Sequence, residues 1–368
     1  MPESPVSARK TPRPLSAFRR AEAMSHDLSQ LPGKGPSYFD DVKLAGLLSK
    51  ESIEEQIQWL RRLDVDSYIQ RVVNPSENQK RLSSAEVIQQ LGGNLIQEEI
   101  EGPLYLAEVE FQIGTLKRRI GFVAQDHRTQ HGTWDPKHHR RAADKLGFFA
   151  IHGMPVVTFI DTPGAVATAE ANLDNQSHSI SFLIAEMANL QLPTVGIVFG
   201  AGYSGGAIPL ATTNVLLATK DGVFNTIHPK GLSNIARKYN LSWQECAKFM
   251  GVSSYELYSS GYFDGIIDFS LDQPGKISNL REAILSGIET IEQNARLFLK
   301  ENSFLFDHYK ENIGHYLNPS ELQIVANRRT HKPPTGTLNV FGSAYRFMRG
   351  VKMRQKIQSE SLKNYSRL

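Results

Sequence analysis

Two apolar segments, Val156–Ile160 and Thr194–Phe199, each run straight into a turn of small residues: Asp161-Thr-Pro-Gly-Ala165 after the first and Gly200-Ala-Gly-Tyr-Ser-Gly-Gly-Ala207 after the second. Near-continuous Val, Ile and Phe without alternation is the pattern of a strand buried on both faces, which points to a parallel sheet. Between the two segments Ile180, Leu183, Ile184, Met187 and Leu190 recur at three- and four-residue steps and predict a helix. Strand, helix and strand again is a βαβ unit, whose crossover is right-handed. The chain is thus an α/β protein with two glycine-bearing turns at the carboxyl ends of its strands. Ala142, Leu146, Phe149 and Ala150 predict a further helix before the first strand. Val215–Thr219 and Val223–Thr226 predict two more strands with no helix between them, a doubled strand that a plain strand–helix repeat does not contain.

Around this centre the pattern changes. Residues 1–36 hold six prolines among Ser, Gly and basic residues and are read as disordered. Leu44, Leu47, Leu48, Ile53, Ile57, Leu60, Leu63, Tyr68 and Ile69 predict two short amphipathic helices, with Ser49 and Ser52 as caps. Residues 104–125 alternate about Gly114 and predict a β-hairpin. Helices are expected at 231–239, 242–250 and 253–260, a short strand at Ile266-Ile267, and a longer helix carrying Leu280, Ile284, Ile288, Ile291, Ala295 and Phe298.

Composition removes several classes. With 40% hydrophobic and 21% charged residues the chain is an ordinary globular protein, and 368 residues suffice for a large core. The most apolar run, Phe148–Ile160, is broken by His152, Gly153 and Pro155 and is too short to span a bilayer. The basic N-terminus has no apolar stretch of a secretory signal, and the single cysteine, Cys246, forms neither an internal disulfide nor a zinc knuckle, so a cytoplasmic protein is expected. Charge is uneven: residues 1–20 carry five basic side chains against one acid and residues 326–368 ten against one, which leaves 21–325 at −10 within a total of +3. Both ends read as solvated basic tails, because no nucleic-acid motif with interleaved aromatics accompanies them.

The turn Gly200–Ala207 is the strongest chemical signal. A strand ending in glycines and opening a helix presents unpaired N–H groups, and Gly205 and Gly206 let the backbone approach an oxyanion closely. A glycine-lined helix–strand crossing would show the same composition. The turn lacks the Lys-[Ser/Thr] of a nucleotide-binding P-loop. Gly202-Tyr-Ser204-Gly-Gly206 also matches a Gly-x-Ser-x-Gly nucleophile elbow, for which Asp221 and His228 are the nearest partners in sequence. His127, His131, His138 and His139 lie near Asp126 and Asp135, but Gly132 and Pro136 break any helix that would align them. No metal site is assigned, and with Arg128, Lys137, Arg140 and Arg141 the segment reads as a basic, solvated rim.

The order of these motifs carries a resemblance. Met154-Pro-Val-Val-Thr-Phe-Ile-Asp-Thr-Pro-Gly-Ala165, Asn175-Gln-Ser177, Leu192-Pro-Thr-Val, Gly200-x-Gly-x-Ser-Gly-Gly-Ala207 and Ile227-x-Pro-x-Gly231 together resemble the α subunit of bacterial acetyl-CoA carboxylase carboxyltransferase, over about residues 104–295. The resemblance implies a crotonase-like ββα spiral, which accounts for the doubled strand, preceded by an N-terminal helical and hairpin region and followed by a C-terminal extension. The boundaries expected are 1–36 for the basic N-terminus, 37–118 for the helices and hairpin, 119–300 for the carboxyltransferase core and 301–368 for the basic extension. It implies transfer of carboxylate between carboxybiotin on a carrier protein and an acyl-CoA, with no covalently bound cofactor on this chain. Gly205, Gly206 and Ala207 would supply backbone donors to the biotin ureido oxygen. Asp161, Thr162, Pro163, Gly164, Ala165, Gly202 and Ser204 would shape the substrate cleft. The partners implied are a β-type subunit, which usually carries a four-cysteine zinc ribbon, and a biotin carboxyl carrier protein, with a homodimer inside the hetero-oligomer.

Departures from the family pattern accompany the matches. Where the family reads Gly-Glu-Gly-Gly-Ser-Gly-Gly, Ala201 replaces the acid and Tyr203 adds bulk; Val166–Leu173 loses glycines and an acid pair; Lys230 replaces another acid. These changes are expected to line the cleft. Two classes of function follow: a carboxyltransferase subunit, or an acyl-CoA decarboxylase or hydrolase of the same fold, on one side, and a non-catalytic relative that binds partners on the other. The basic stretch Arg346–Lys356 is expected to be an interaction arm.

Overall fold

The computed structural model describes residues 44–272, 274–301, 342 and 344–352. The N-terminus 1–36 and most of the 301–368 extension lie outside the described residues. At the centre is one eight-stranded sheet in the order β1-β2-β3-β4-β5-β6-β8, with β7 paired to β5. Strands β1 (Asn94–Glu101), β2 (Leu104–Ile113) and β3 (Leu116–Gln125) form an antiparallel meander turning at Gly114. From β3 onward the sheet is parallel, through β4 (Val156–Thr162), β5 (Thr194–Tyr203), β6 (Val215–Ala218) and β8 (Gly265–Ile266). The predicted hairpin is continuous with the parallel strands, and residue 118 lies inside β3. The mostly exposed β1 has no counterpart in the sequence reading, since it offers no buried face to set a period.

The architecture divides along β5. Its first half, Val195–Val198, pairs with β6, and its second half, Ala201–Tyr203, pairs with β7 (Val223–Asn225). One strand therefore serves two neighbours in succession, and those neighbours, β6 and β7, are the two strands that the sequence placed with no helix between them. A register shift against β4 between Ile160 and Thr162 marks the same point on the other side. Both turns of interest follow immediately.

Helices cover both faces. On one, α3 (Pro136–Ile151), α4 (Gln176–Asn189) and α5 (Ser204–Ala211) bury Leu146, Phe149, Leu183, Met187 and Leu210 against Val156, Ile160 and Val198. Asp135 starts α3 by accepting from the amides of Lys137 and His138, with Pro136 at the first helical position. On the other face a long helix, Ile277–Glu301, lays Leu280, Ile284, Ile288, Ile291 and Phe298 against Phe159, Val195, Ile197 and Phe199. The N-terminal helix α1 (Lys50–Arg62), capped by Ser49, the short helical turn Val65–Tyr68 and the π-helical turn Ile69–Val73 put Leu60, Tyr68, Val72 and Val73 over Ala201, Tyr203 and Val223.

The described part of the C-terminal stretch is interior. Arg349 is buried and donates to the carbonyls of Met187, Ala188, Leu190 and Leu192 and to Oδ1 of Asn214, at 2.9–3.1 Å. The last carbonyls of a helix have no donors within it, and this guanidinium supplies them at the end of α4, where the helix dipole favours a cation. Burial, followed by the nearby Arg346, pushes its pKa down to about 9, so it stays charged at neutral pH. Lys352 is likewise buried, bonded to the carbonyl of Asn214 and paired with Asp264. Arg349 and Lys352 are thus internal ties, where the sequence suggested an outward-facing arm. No helix among the described residues is long and apolar enough to cross a membrane. Replacing Arg349 with Met strands several buried carbonyls at once, and urea unfolding of R349M is expected to show a loss of roughly 3–5 kcal/mol.

Candidate functional site

Because β4 and β5 are parallel neighbours, their two turns meet at one edge of the sheet, where open α/β folds place ligands. The contact is close. A Cβ on Gly206 would lie 2.6 Å from the carbonyl carbon of Gly164 and 2.7 Å from the nitrogen of Ala165, so only glycine allows the first turn of α5 to seat on the Pro163-Gly-Ala165 turn. Thr162 Oγ1 closes that turn by donating to the Gly164 carbonyl at 2.7 Å and accepting from its amide at 3.2 Å. The structure therefore unites Thr162–Ala165 with Ser204–Ala207. Gly202 is interior, between Ile160 and Phe224, and belongs to the sheet rather than to an open cleft.

Asp161 occupies the space beneath both turns. Its carboxylate is buried and takes a two-pronged bond from Arg81, 2.6 and 2.7 Å, and a bond from the amide of Ala201 at 3.2 Å. His127 Nδ1 lies 3.2 Å from one carboxylate oxygen and 3.0 Å from Arg81 Nη1. Burial by itself raises the Asp161 pKa, but the Arg81 charge and the His127 and Arg81 hydrogen bonds outweigh it and hold the carboxyl below its usual value. Gly200 is forced by this pair: a Cβ there would meet Asp161 Oδ1 at 2.4 Å and Arg81 Nη2 at 2.5 Å. Expected on the cleft wall, the Asp161 side chain instead points inward and is saturated. Arg81, which precedes the helix α2 (Ser84–Gln90, residues 84–90), was not singled out in the sequence, and 80 positions separate it from its partner. The one available signal was that an aspartate ending a buried strand requires a cation.

The N-terminus of α5 lies at this junction, with Ser204 and Gly205 partly exposed and Gly206 and Ala207 buried. No side chain caps it, and the amides of its first turn have no carbonyl within the helix to bond. Ser204 opens it at φ 59°, a left-handed conformation uncommon outside glycine and frequent at functional turns. A Cβ on Gly205 would meet only the side chain of Ile180, at 3.3 Å. The dipole of α5 points its positive end at this turn, which favours negative charge there. The hydrolase reading of Ser204 loses its partners: Asp221 accepts from Ser270 and the Leu271 amide, while His228 Nδ1 accepts from the Lys230 amide. Among the described residues no hydrogen bond joins Ser204 to a histidine.

Two of the departures from the family pattern, Ala201 and Tyr203, lie elsewhere than expected. Tyr203 is buried in an apolar cluster with Leu60, Tyr68, Val72, Val73, Ala247 and Val252, and Ala201 lies in the same cluster. The imidazole of His228 covers the Tyr203 ring, 4.6 Å between centroids. Both substitutions thus fit the underside of the N-terminal helices. The basic rim is also revised. Residues 136–141 are helical, Arg128 pairs with Glu86, Arg140 with Asp174, Arg141 with Glu99 and Lys137 with Glu101, and His138 and His139 are buried. Among the described residues no three His, Cys, Asp or Glu side chains are grouped to hold a metal.

A parallel sheet whose central strand serves two neighbours in turn, with a glycine-opened helix at its carboxyl edge, is an architecture shared with a solved transcarboxylase core. The solved structure of the transcarboxylase 12S core aligns over 69% of this chain and 46% of that one with a TM-score of 0.50 at 17% identity, which establishes the shared fold. The acetyl co-enzyme A carboxylase carboxyltransferase-like family matches residues 114–302, and the chain belongs to it. Similar relatives include the acetyl-coenzyme A carboxylase carboxyl transferase α subunits of Polynucleobacter necessarius, 30% identical over 162 residues, and Francisella philomiragia, 32% identical over 184 residues. These alignments cover 43% and 47% of this chain, and 50% and 58% of the relatives' own lengths.

Two measurements test this geometry. Arg81→Met leaves the buried Asp161 carboxylate uncompensated and is expected to cost roughly 3–5 kcal/mol in urea unfolding, while the R81M/D161N double variant loses clearly less than the two singles added. His139 concerns pH. It packs edge-on against Trp134, its Nδ1–H donates to the Asp135 carbonyl, and burial, the dominant cause, pushes its pKa from 6.5 down to about 4. The unfolded chain then takes up this proton first, so stability is intact above pH 6.5 and falls as pH drops toward 4, by up to roughly 3 kcal/mol. Melting curves at pH 7 and 4.5 should show a smaller acid loss for His139→Gln than for the parent.

Proposed function

We propose that this chain is the α-type half of a carboxyltransferase that moves carboxylate between carboxybiotin on a carrier protein and an acyl-CoA. The observation that carries the reading is the side-chain-uncapped start of α5, seated through Gly206 on the Gly164–Ala165 turn. As the bond between the biotin ureido nitrogen and the carboxylate breaks, negative charge grows on the ureido oxygen. The amides of Gly205, Gly206 and Ala207 stabilise that charge without reorganising, because the glycine contact and the strand ends have already fixed them. The acyl-CoA loses a proton from its α-carbon, which takes the carboxyl group, and the ureido nitrogen ends protonated. Thr162, Pro163, Gly164, Ala165 and Ser204 form the wall of this site, and Asp161 and Gly202 support it from within.

The remaining parts come from partners. A β-type subunit holds the CoA thioester, a biotin carboxyl carrier protein delivers the biotin, and the complex works in the cytoplasm as a homodimer of such pairs. The names of the relatives, each an α subunit, and family membership over residues 114–302 support this division. So does the burial of Ala201 and Tyr203, which places these two departures under the N-terminal helices.

The test is reconstitution with a β-type subunit and biotin carrier, following transfer of radiolabelled carboxylate between acyl-CoA and biotin. Gly206→Ala is expected to separate the two turns and lower kcat about a hundredfold or more, whereas Gly205→Ala, which meets only the Ile180 side chain, costs less. No transfer by the parent complex, or full activity in G206A, rules the reading out.

A further inference from the structure

Gln125, the last residue of β3, is fully buried and lies between the two turns. Its Oε1 accepts from the amide of Asp161 at 3.0 Å, and its Nε2 donates to the carbonyl of Gly206 at 2.8 Å. These partners fix the orientation of the carboxamide, because a flip would set its NH2 against an N–H and its oxygen against a carbonyl. The backbone at this position is pinned as well, since the Gln125 carbonyl accepts from Ser84 Oγ at 2.7 Å.

We propose that Gln125 is a positioning residue for carboxyl transfer, one that sets the direction of the Ala207 N–H; the inference rests on the reading of α5 given above. The peptide unit is planar and trans, so the carbonyl of Gly206 and the N–H of Ala207 point in opposite directions within one rigid group. Whatever holds the carbonyl aims the N–H. The helix by itself holds this turn weakly: Pro209 has no N–H to offer the carbonyl of Gly205 four residues earlier, and no side chain caps the N-terminus. Gln125 supplies a bond from outside the helix at the unit that carries the Ala207 N–H. It also ties that unit to Asp161, so the strand end and the oxyanion turn move together.

The sequence provides a direct readout. Gly-Ala occurs three times, at Gly164-Ala165, Gly200-Ala201 and Gly206-Ala207, so 13C-carbonyl glycine combined with 15N-alanine labelling isolates three peptide signals, all in the site. Each is assigned with its Ala→Ser variant in the full chain. In Gln125→Met the Gly206-Ala207 signal is expected to move most. In the reconstituted complex kcat is expected to fall about tenfold to a hundredfold, less than outright loss of an oxyanion donor, with KM for the biotin substrate changed by less than about twofold. Should Q125M fail to fold, Gln125→Asn, whose carboxamide is one methylene too short to reach both backbone partners, is read in the same way. An unmoved Gly206-Ala207 signal, a moved signal with unchanged kcat, or a loss carried by KM overturns the proposal. If the parent complex shows no transfer, the function reading fails instead, and the peptide signal alone decides whether Gln125 orients the turn.

Discussion

The buried ion pair of Arg81 and Asp161 is the interaction around which the site is arranged. Replacing such a pair with apolar residues can be energetically neutral, but removing one partner is costly, so its role is to specify an arrangement more than to add stability. Here it requires four things to coincide: a bare backbone at Gly200, an amide donor at Ala201, His127 beside the carboxylate, and the N-terminal segment held close enough for Arg81 to reach in.

What the pair fixes below, the glycine contact fixes above. The turns after β4 and β5 could lie at several separations on a parallel sheet; the missing Cβ of Gly206 lets them touch, and Gln125 bonds to both. The product is a helix N-terminus that is rigid yet lacks a side-chain cap, the condition under which backbone dipoles stabilise a developing charge without rearranging. The substitutions that looked disruptive in the sequence belong to a different layer. Ala201 and Tyr203 alternate with Gly200 and Gly202 along β5, so they face the N-terminal helices and were matched to Leu60, Tyr68 and Val72 instead of to a substrate.

Much of the fold could be read in advance because burial on both faces leaves a continuous apolar run, as in β4, β5 and β6, and burial on one face leaves a helical period, as in α3, α4 and the long helix at 277–301. The strand β1 escaped because it lies at the sheet's edge with most of its side chains exposed. Asp161 and Gln125 are both strand-end polar residues, but only the first sat in a recognisable motif. Arg349 escaped for the same reason as Arg81: a single cation far along the chain gives no periodicity, and the carbonyls that it satisfies belong to backbone that any sequence would have.

The sequence by itself thus determined the strands from β2 onward, the helices that cover them and the two glycine-bearing turns, because those depend on local period and on glycine at close approach. Only the tertiary structure decided which polar groups are spent internally and which remain open. The Arg81, His127 and Asp161 cluster, the inward turn of Tyr203 and the interior placement of Arg349 all depend on desolvation, and desolvation is set by what the rest of the chain packs over a residue, not by its neighbours in sequence.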